Sequence, residues 1–232
     1  LVNLPPLFTG GFISTDLRFP EDLPSYWTDA TAALDARPHD SRVLELPGSD
    51  FAAYRWGQTQ DPVTPGLMDR PWVGRELTAF GTPGSVDLVR ALDRRAQEGV
   101  FDAAAVAPVA RLLAAGDVLV RNDTQYERYR GPRPRTLWPQ LAGAAGLGAT
   151  TTYGAPVRNT ADPRRPMLDE VELATPPSVP DPAPLATRAV PEPNAIVGAK
   201  PAAGATVIAG DGEGLVDAAA AGLVEPSRLV TY

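Results

Sequence analysis

Three groups of side chains in this sequence have the types and spacing to hold a ligand. The first is Asp50, Tyr54, Arg55, Trp56, Asp61, Asp69 and Arg70, gathered in Arg42-Val-Leu-Glu-Leu-Pro-Gly-Ser-Asp-Phe-Ala-Ala-Tyr-Arg-Trp-Gly57 and the Gln58-Thr-Gln-Asp-Pro-Val-Thr-Pro-Gly-Leu-Met-Asp-Arg-Pro71 that follows. Sugar sites pair an aromatic face, which covers the C–H side of a ring, with carboxylates and guanidinium groups that hydrogen-bond the hydroxyls. The same residues also suit Asp–Arg and Trp packing that pins a long loop, and both readings stand. Paired carboxylates raise glycosidase chemistry as well, but that mechanism needs a set separation across the scissile bond, which sequence does not supply.

The second group is Arg121, Arg128, Arg130, Arg133 and Arg135, interleaved with Tyr126 and Tyr129. Guanidinium groups bind phosphate in bidentate fashion, so Arg128, Arg130, Arg133 and Arg135 are candidates for a lipid phosphate or a membrane-facing edge. Salt-bridged packing against nearby acids is the competing reading. The third group is Gly210-Asp-Gly-Glu-Gly214, between a strand pattern and a helix pattern. Backbone N–H groups at such a helix start can receive an anion. Gly214 comes too early for the dinucleotide fingerprint, no Lys-Ser/Thr follows as in a P-loop, and Asp211 and Glu213 repel phosphate. A plain βα turn fits, with carbohydrate or cation contact as the alternative.

Composition removes several classes. The 232 residues contain no cysteine and one histidine, His39, so thiolate and two-His metal sites are absent and no cofactor is implied. His39, between Pro38 and Asp40, suits a solvated turn, and no Ser-His-Asp arrangement is available. A net charge of −7 and few aromatic residues argue against nucleic acid as a partner. No run approaches the roughly 18 apolar residues of a membrane span. Leu1-Val-Asn-Leu-Pro-Pro lacks the marks of a signal peptide, and Ser227-Arg-Leu-Val-Thr-Tyr232 reads as a strand about to connect onward. Both ends thus read as cut from a longer chain.

The elements that must position these groups follow from periodicity. Residues 1–21 read as an extended arm. A helix follows, capped at Asp22 or a neighbour, with Pro24 in its first turn and Trp27, Ala30 and Leu34 on its apolar side. Arg42–Leu46 is a strand stopped by Pro47-Gly48, and 49–83 is a long loop with at most one short helix. Val86, Val89, Leu92 and Ala96 mark an amphipathic helix with Asp87, Arg90, Asp93 and Arg94 opposite. Asp102 opens another helix, kinked or restarted at Pro108 and ended by Gly116, and Val118–Arg121 is a buried strand. Residues 143–148 are small and flexible, and a strand is expected within 150–154. Seven prolines between 174 and 193 predict an extended linker or surface crossing without regular structure. Strand 205–209, a helix through Ala221 and strand 229–231 form a parallel βαβ unit. The class is α/β, a mixed or mostly parallel sheet flanked by helices, with long Pro-rich irregular segments.

Several irregular runs resemble one family. Asn3-Leu-Pro-Pro-Leu-Phe-Thr-Gly-Gly11, Arg18-Phe-Pro-Glu-Asp-Leu-Pro-Ser-Tyr-Trp-Thr-Asp29, Val120-Arg-Asn-Asp-Thr-Gln-Tyr-Glu-Arg-Tyr-Arg130 and Gly210-Asp-Gly-Glu-Gly-Leu-Val-Asp217, with the two runs quoted first, are similar to the extracytoplasmic part of actinobacterial α-(1→3)-arabinofuranosyltransferases. These are membrane glycosyltransferases of the C class that build cell-wall arabinan. The resemblance implies that residues 1–232 are an extracytoplasmic region at the cell membrane, a fragment of a larger enzyme. It implies decaprenyl-phosphoryl arabinose as donor and the arabinan of arabinogalactan or lipoarabinomannan as acceptor. The catalytic carboxylate of that class lies on a loop between early transmembrane helices, so no catalytic residue is assigned in this chain. The chain would shape the acceptor side, with the loop from Ser49 to Pro71 at the edge facing the membrane-embedded site rather than in the core. A glycan-binding module without catalysis and a purely structural domain of the same polypeptide are the alternatives.

Overall fold

A computed structural model describes residues 8, 22–77, 81–164 and 176–232, so most of the expected N-terminal arm lies outside the described residues. Helix α1 (Ser25–Asp35) buries Trp27, Ala30 and Leu34, the spacing that puts residues on one helix face. Pro24 is its N-cap, in extended conformation, and no side chain caps the end, so Asp22 has no capping role. Strand β1 (Arg42–Leu46) ends where expected. The next stretch is more regular than a loop. It holds the hairpin β2 (Ala52–Tyr54) and β3 (Gly57–Gln60), the short helix α2 (Thr64–Leu67) and the edge strand β4 (Trp72–Val73).

Helix α3 (Pro83–Gln97) is capped by the Thr82 side chain. Asp93, expected on its polar side, is only 1% exposed because Arg75 reaches it there. Asp102 caps a 3-10 turn (Ala103–Ala105), and helix α4 (Val106–Leu112) restarts after it with Pro108 in its first turn, where a missing N–H costs nothing. Ala114, in left-handed conformation at φ 56°, turns the chain into β5 (Ala115–Arg121), so Gly116 lies inside a strand and is not the helix stop. Helix α5 (Pro134–Ala142) and strand β6 (Thr150–Tyr153) follow.

Strand β7 (Leu185–Ala189) corrects the reading of the Pro-rich segment. It is buried and lies between β5 and β6 in a five-stranded sheet of order β4-β1-β5-β7-β6. The prolines cluster up to Pro184 and resume at Pro191, and the proline-free window between them keeps every N–H that a ladder needs. Strands β4, β1 and β5 are parallel, while β7 is antiparallel to both its neighbours.

Helices cover both faces. Leu44 and Leu46 of β1, Val118 and Val120 of β5 and Ala186 of β7 join α3, α4, α5 and the C-terminal helix in one core. Val43, Leu119 and Leu185 face the other way, onto α1 and the hairpin. Alternation in strands therefore places Glu45, Asp117 and Arg121 on the α1 side of the sheet. They are buried there in pairs: Arg121 with Glu45 at 3.2 Å, and Asp117 with Arg70 at 2.6 Å and with Arg37.

The C-terminal unit has the expected βαβ order: β8 (Thr206–Val207), α6 (Gly212–Ala220) and β9 (Val230–Thr231), with β8 and β9 parallel in a two-stranded sheet of their own. Gly212 sits so close to α3 that an added Cβ would lie 2.7 Å from the Asp87 carbonyl oxygen. The Gly212 N–H donates to the Asp87 carboxylate, and Asp211 accepts from Glu213 N and Gly214 N. The anion position at this helix start is thus filled by the protein's own carboxylates. Arg95 secures the same contact by donating to Glu213 at 2.7 Å and to Asp217 at 2.5 and 2.9 Å.

Candidate functional site

In open α/β sheets ligands bind outside the carboxyl ends of the strands, where neighbouring parallel strands send their chains to opposite sides. Here that point lies between β1 and β5, since the chain leaves β1 toward β4 at one flank and leaves β5 toward β6 and β7 at the other. The residues gathered there are Pro47, Gly48 and Ser49 after β1, Arg75 after β4, and Thr124, Gln125, Tyr126 and Tyr129 after β5. Gly48 is required at this edge because a Cβ would fall 2.8 Å from Arg75 N. Arg75 organises the rim: it pairs with buried Asp93 and solvent-facing Asp50 and donates to Gly48 O at 3.1 Å. Asp93 in turn accepts from Gly48 N at 2.7 Å. Burial pushes the Asp93 carboxyl above its ordinary range, with Arg75 opposing that rise.

A second arrangement, centred on a residue outside the three groups read from the sequence, lies below this rim. Asp123, two residues beyond β5, accepts on Oδ2 from Tyr26 Oη at 3.0 Å and from the indole N–H groups of Trp27 and Trp56, each at 2.9 Å. Its Oδ1 has no partner among the described residues. All three donors are neutral, and burial raises the Asp123 carboxyl well above the usual carboxylate range. Burial with the Asp123 charge likewise raises the Tyr26 hydroxyl. A usable signal existed in the sequence, namely an acidic residue just past the carboxyl end of a buried strand.

The seven residues of the first sequence group do not converge. Tyr54 is buried, stacked on Trp56 with ring centroids 4.7 Å apart and edge-on to Trp27 at 5.4 Å. Burial pushes its hydroxyl up to about 12. Trp56 is therefore tied into the packing around Asp123. Arg55 makes a bidentate pair with Glu127 at 2.7 and 2.6 Å and lies 5.4 Å from the Tyr126 ring centroid. Arg70 is only 2% exposed, in the core with Asp117 and Ser41. Asp61 and Asp69 are exposed, the latter held by its N–H on Asp35. The expectation that the 49–71 loop avoids the core is thus corrected, because each buried charge found a partner carried on another element.

What does face solvent at the rim is Asp50 with Phe51, whose ring is 41% exposed and lies 5.6 Å from that of Tyr129 at a 42° tilt. Ser49 Oγ donates to Phe51 O and Gln125 Nε2 to Tyr54 O at 2.8 Å, so the exposed Asp50 carboxylate is the group beside this aromatic pair with capacity to accept from a polyol hydroxyl. Among the described residues no nucleophile–base pair accompanies it. The cleft itself is about 10 Å³, room for about one water, so a sugar would lie on the rim and not inside it.

The arginine group is likewise divided. Arg121 is buried against Glu45 and the Pro47 carbonyl. Arg128 donates to Gln125 at 3.4 Å, and Arg135 pairs with Asp181 at 3.1 Å and donates to Pro176 O at 2.8 Å. Arg130 is exposed, in left-handed conformation at φ 53°. Arg133 is the N-cap residue of α5 and has an interaction partner of its own. Among the described residues no group of acidic or histidine side chains could hold a metal ion, and no helix is long and apolar enough to cross a membrane.

Comparison with known proteins places this architecture. The sequence is 34% identical over 139 residues to the α-(1→3)-arabinofuranosyltransferase of Mycobacterium tuberculosis and 34% identical over 140 residues to that of Mycolicibacterium smegmatis. Each match covers 58% of this chain and 10% of the relative, so the chain spans about a tenth of their length. The fold is similar to the cryo-EM structure of the arabinofuranosyltransferase AftD from mycobacteria, with a TM-score of 0.62 at 22% identity over 84% of this chain and 14% of that one. A mutant form of the same enzyme gives 0.62 at 23% identity, covering 84% and 15%. The family model described as "Alpha-(1->3)-arabinofuranosyltransferase, N-terminal GT-C domain" matches residues 8–232, and the chain belongs to that family.

Proposed function

We propose that this chain is the extracytoplasmic α/β region of a membrane arabinofuranosyltransferase and shapes the acceptor side of its site. The full-length enzyme transfers arabinofuranose from decaprenyl-phosphoryl arabinose to the arabinan of arabinogalactan or lipoarabinomannan, using a catalytic carboxylate outside this chain. Residues 1–232 act as one region joined to the transmembrane part of the same polypeptide at the periplasmic face. The observation that carries the reading is the solvent-facing rim at the β1–β5 crossover, where Phe51 and Tyr129 lie beside Asp50, Arg75 and Gln125. Within the first group of residues, Asp50 belongs to this rim, Tyr54, Arg55 and Trp56 support it from below, and Arg70 lies at the opposite end of the strands with Ser41 and Asp117. Arg128 and Arg130 flank Tyr129 and suit an anionic headgroup or the donor phosphate.

A second reading, a purely structural domain, is favoured by one observation. The charges of the 49–71 loop are largely spent on internal pairs, Arg55 with Glu127 and Arg70 with Asp117. Arabinosyl transfer assayed in the full-length enzyme, with rim variants measured for both acceptor dependence and folding, separates the two. An acceptor effect without a folding effect supports the first reading, and the reverse supports the second.

A further inference from the structure

On the far side of Gly131 from the rim lies a cleft of about 270 Å³, between the C-terminal end of α3 and the N-terminal turn of α5. Gly131 borders both this cleft and the small one at the rim. The volume approaches the roughly 300 Å³ at the lower end of ligand pockets and suits one small ring. Its floor includes buried Phe101 and Leu137, and Gln97, Glu98, Thr136 and Gln140 stand among its walls.

The chemistry of those walls is selective. Among the described residues the side chains of Gln97 and Glu98 make no hydrogen bond, and Gln140 uses only its Nε2, donating to Thr136 O at 3.1 Å. Two carboxamides, a hydroxyl and a carboxylate offer donors and acceptors side by side, the pattern that vicinal hydroxyl groups satisfy. Glu98 lines the same cleft as Arg133 and the first turn of α5, and its carboxylate repels an anion there. The apolar floor matches the C–H side of a sugar ring.

We infer that this cleft is a subsite for one neutral saccharide unit, the neighbour in a glycan chain of the unit lying on the Phe51–Tyr129 rim. The identity of that unit as arabinofuranose rests on the proposed function, whereas its class as a neutral polyol rests on the cleft alone. The subsite lengthens the path from one ring to at least two, so oligosaccharides bind more tightly than a single residue does.

The test uses the full-length enzyme in nanodiscs, with an α-linked arabinofuranosyl oligosaccharide and a linear hexopyranosyl oligosaccharide as probes. Binding is followed by calorimetry and by saturation-transfer NMR. Gln97→Ala and Gln140→Ala, at partly exposed positions that the fold tolerates, each weaken arabinofuranosyl binding about fivefold, and Thr136→Trp, which fills the cleft, removes the gain of the longer ligand. Unchanged affinity in the Gln97→Ala/Gln140→Ala double variant and in Thr136→Trp overturns the subsite, even if the enzyme transfers arabinose normally. If the hexopyranosyl probe alone binds, with the same sensitivity to these variants, and no arabinosyl transfer occurs, the proposed activity is overturned and the polyol site stands.

Discussion

The indole N–H of Trp56 donates to Asp123 Oδ2 at 2.9 Å, joining the β2–β3 turn to the segment that leaves β5. The contact is reinforced by backbone bonds from Arg55 N to Asp123 O at 2.7 Å and from Gln125 N to Ala53 O at 2.8 Å. Trp56 thus acts through the position of the hairpin, which is entered directly from the exposed rim residues Asp50 and Phe51.

Truncation at this junction tests its weight. Trp56→Ala loses the stack on Tyr54 and one bond to Asp123, and is expected to cost about 3–5 kcal/mol. Asp123→Ala strands the buried Trp27 donor and the half-buried donors of Tyr26 and Trp56, and is expected to cost at least as much. Denaturant unfolding of the 232-residue chain measures both. A change under about 1 kcal/mol for Trp56→Ala would place the indole outside the packing that supports the rim.

Protonation of Asp123 gives a pH signature. Because burial raises its carboxyl, the folded chain holds this proton more tightly than the unfolded chain does. The contribution is therefore fully present below about pH 3.9, the unfolded value, and is lost as pH rises through the raised folded value. Asp93 and Glu76 are shifted in the same direction. Asp123→Asn keeps an acceptor for the three donors and removes the titration. The wild-type unfolding free energy should fall relative to that of Asp123→Asn as pH rises from about 4, then level off. A difference independent of pH would show that Asp123 is not held in this way.

The two ends of the Arg75 bridge are predicted to differ. Arg75→Ala leaves Asp93 buried without its cation, a loss of about 3–5 kcal/mol. Asp50→Ala removes an exposed partner and changes stability by at most about 1 kcal/mol. Equal effects in thermal unfolding would contradict the geometry.

Glycine positions offer a matched pair. Gly48→Ala drives a Cβ to within 2.8 Å of Arg75 N, whereas Gly66→Ala, within α2, meets nothing within 4 Å. The first is expected to destabilise by about 1–3 kcal/mol and the second to leave stability unchanged or raise it by up to about 1 kcal/mol. Chemical denaturation of both variants checks the contrast.

What could be read beforehand was set by local pattern. Trp27, Ala30 and Leu34 fixed α1, the apolar run of β1 and that of β5 were plain, and the βαβ order followed from Gly and Ala spacing. The β2–β3 hairpin escaped because its turn, Arg55-Trp56, carries none of the Asn-Gly or Gly-X signals of tight hairpins. β7 was masked by flanking prolines. Periodicity puts Asp93 on the solvent side of α3 because its partner, Arg75, lies on another element that no periodicity announces. The same limit applies to the site: Tyr54, Trp56 and Arg70 have the right chemistry for sugar, but long-range partners consume it, and the aromatic pair at the rim joins exposed Phe51 to half-buried Tyr129 across the fold.

The 232-residue chain alone is expected to show no arabinosyl transfer from a lipid-linked donor, since the proposed catalytic carboxylate lies elsewhere in the polypeptide. Radiolabelled transfer assays check this. Turnover by the chain alone would contradict it.

The most direct test of the acceptor-side role is the acceptor dependence of arabinosyl transfer by the full-length enzyme carrying Phe51→Ala or Tyr129→Ala. Either substitution should raise the acceptor KM about tenfold with kcat little changed, as for contacts equal in ground and transition states, and should leave the unfolding midpoint of the 232-residue chain within experimental spread. An unchanged acceptor KM in both variants, with the enzyme folded and active, would contradict the role of this rim in binding the acceptor.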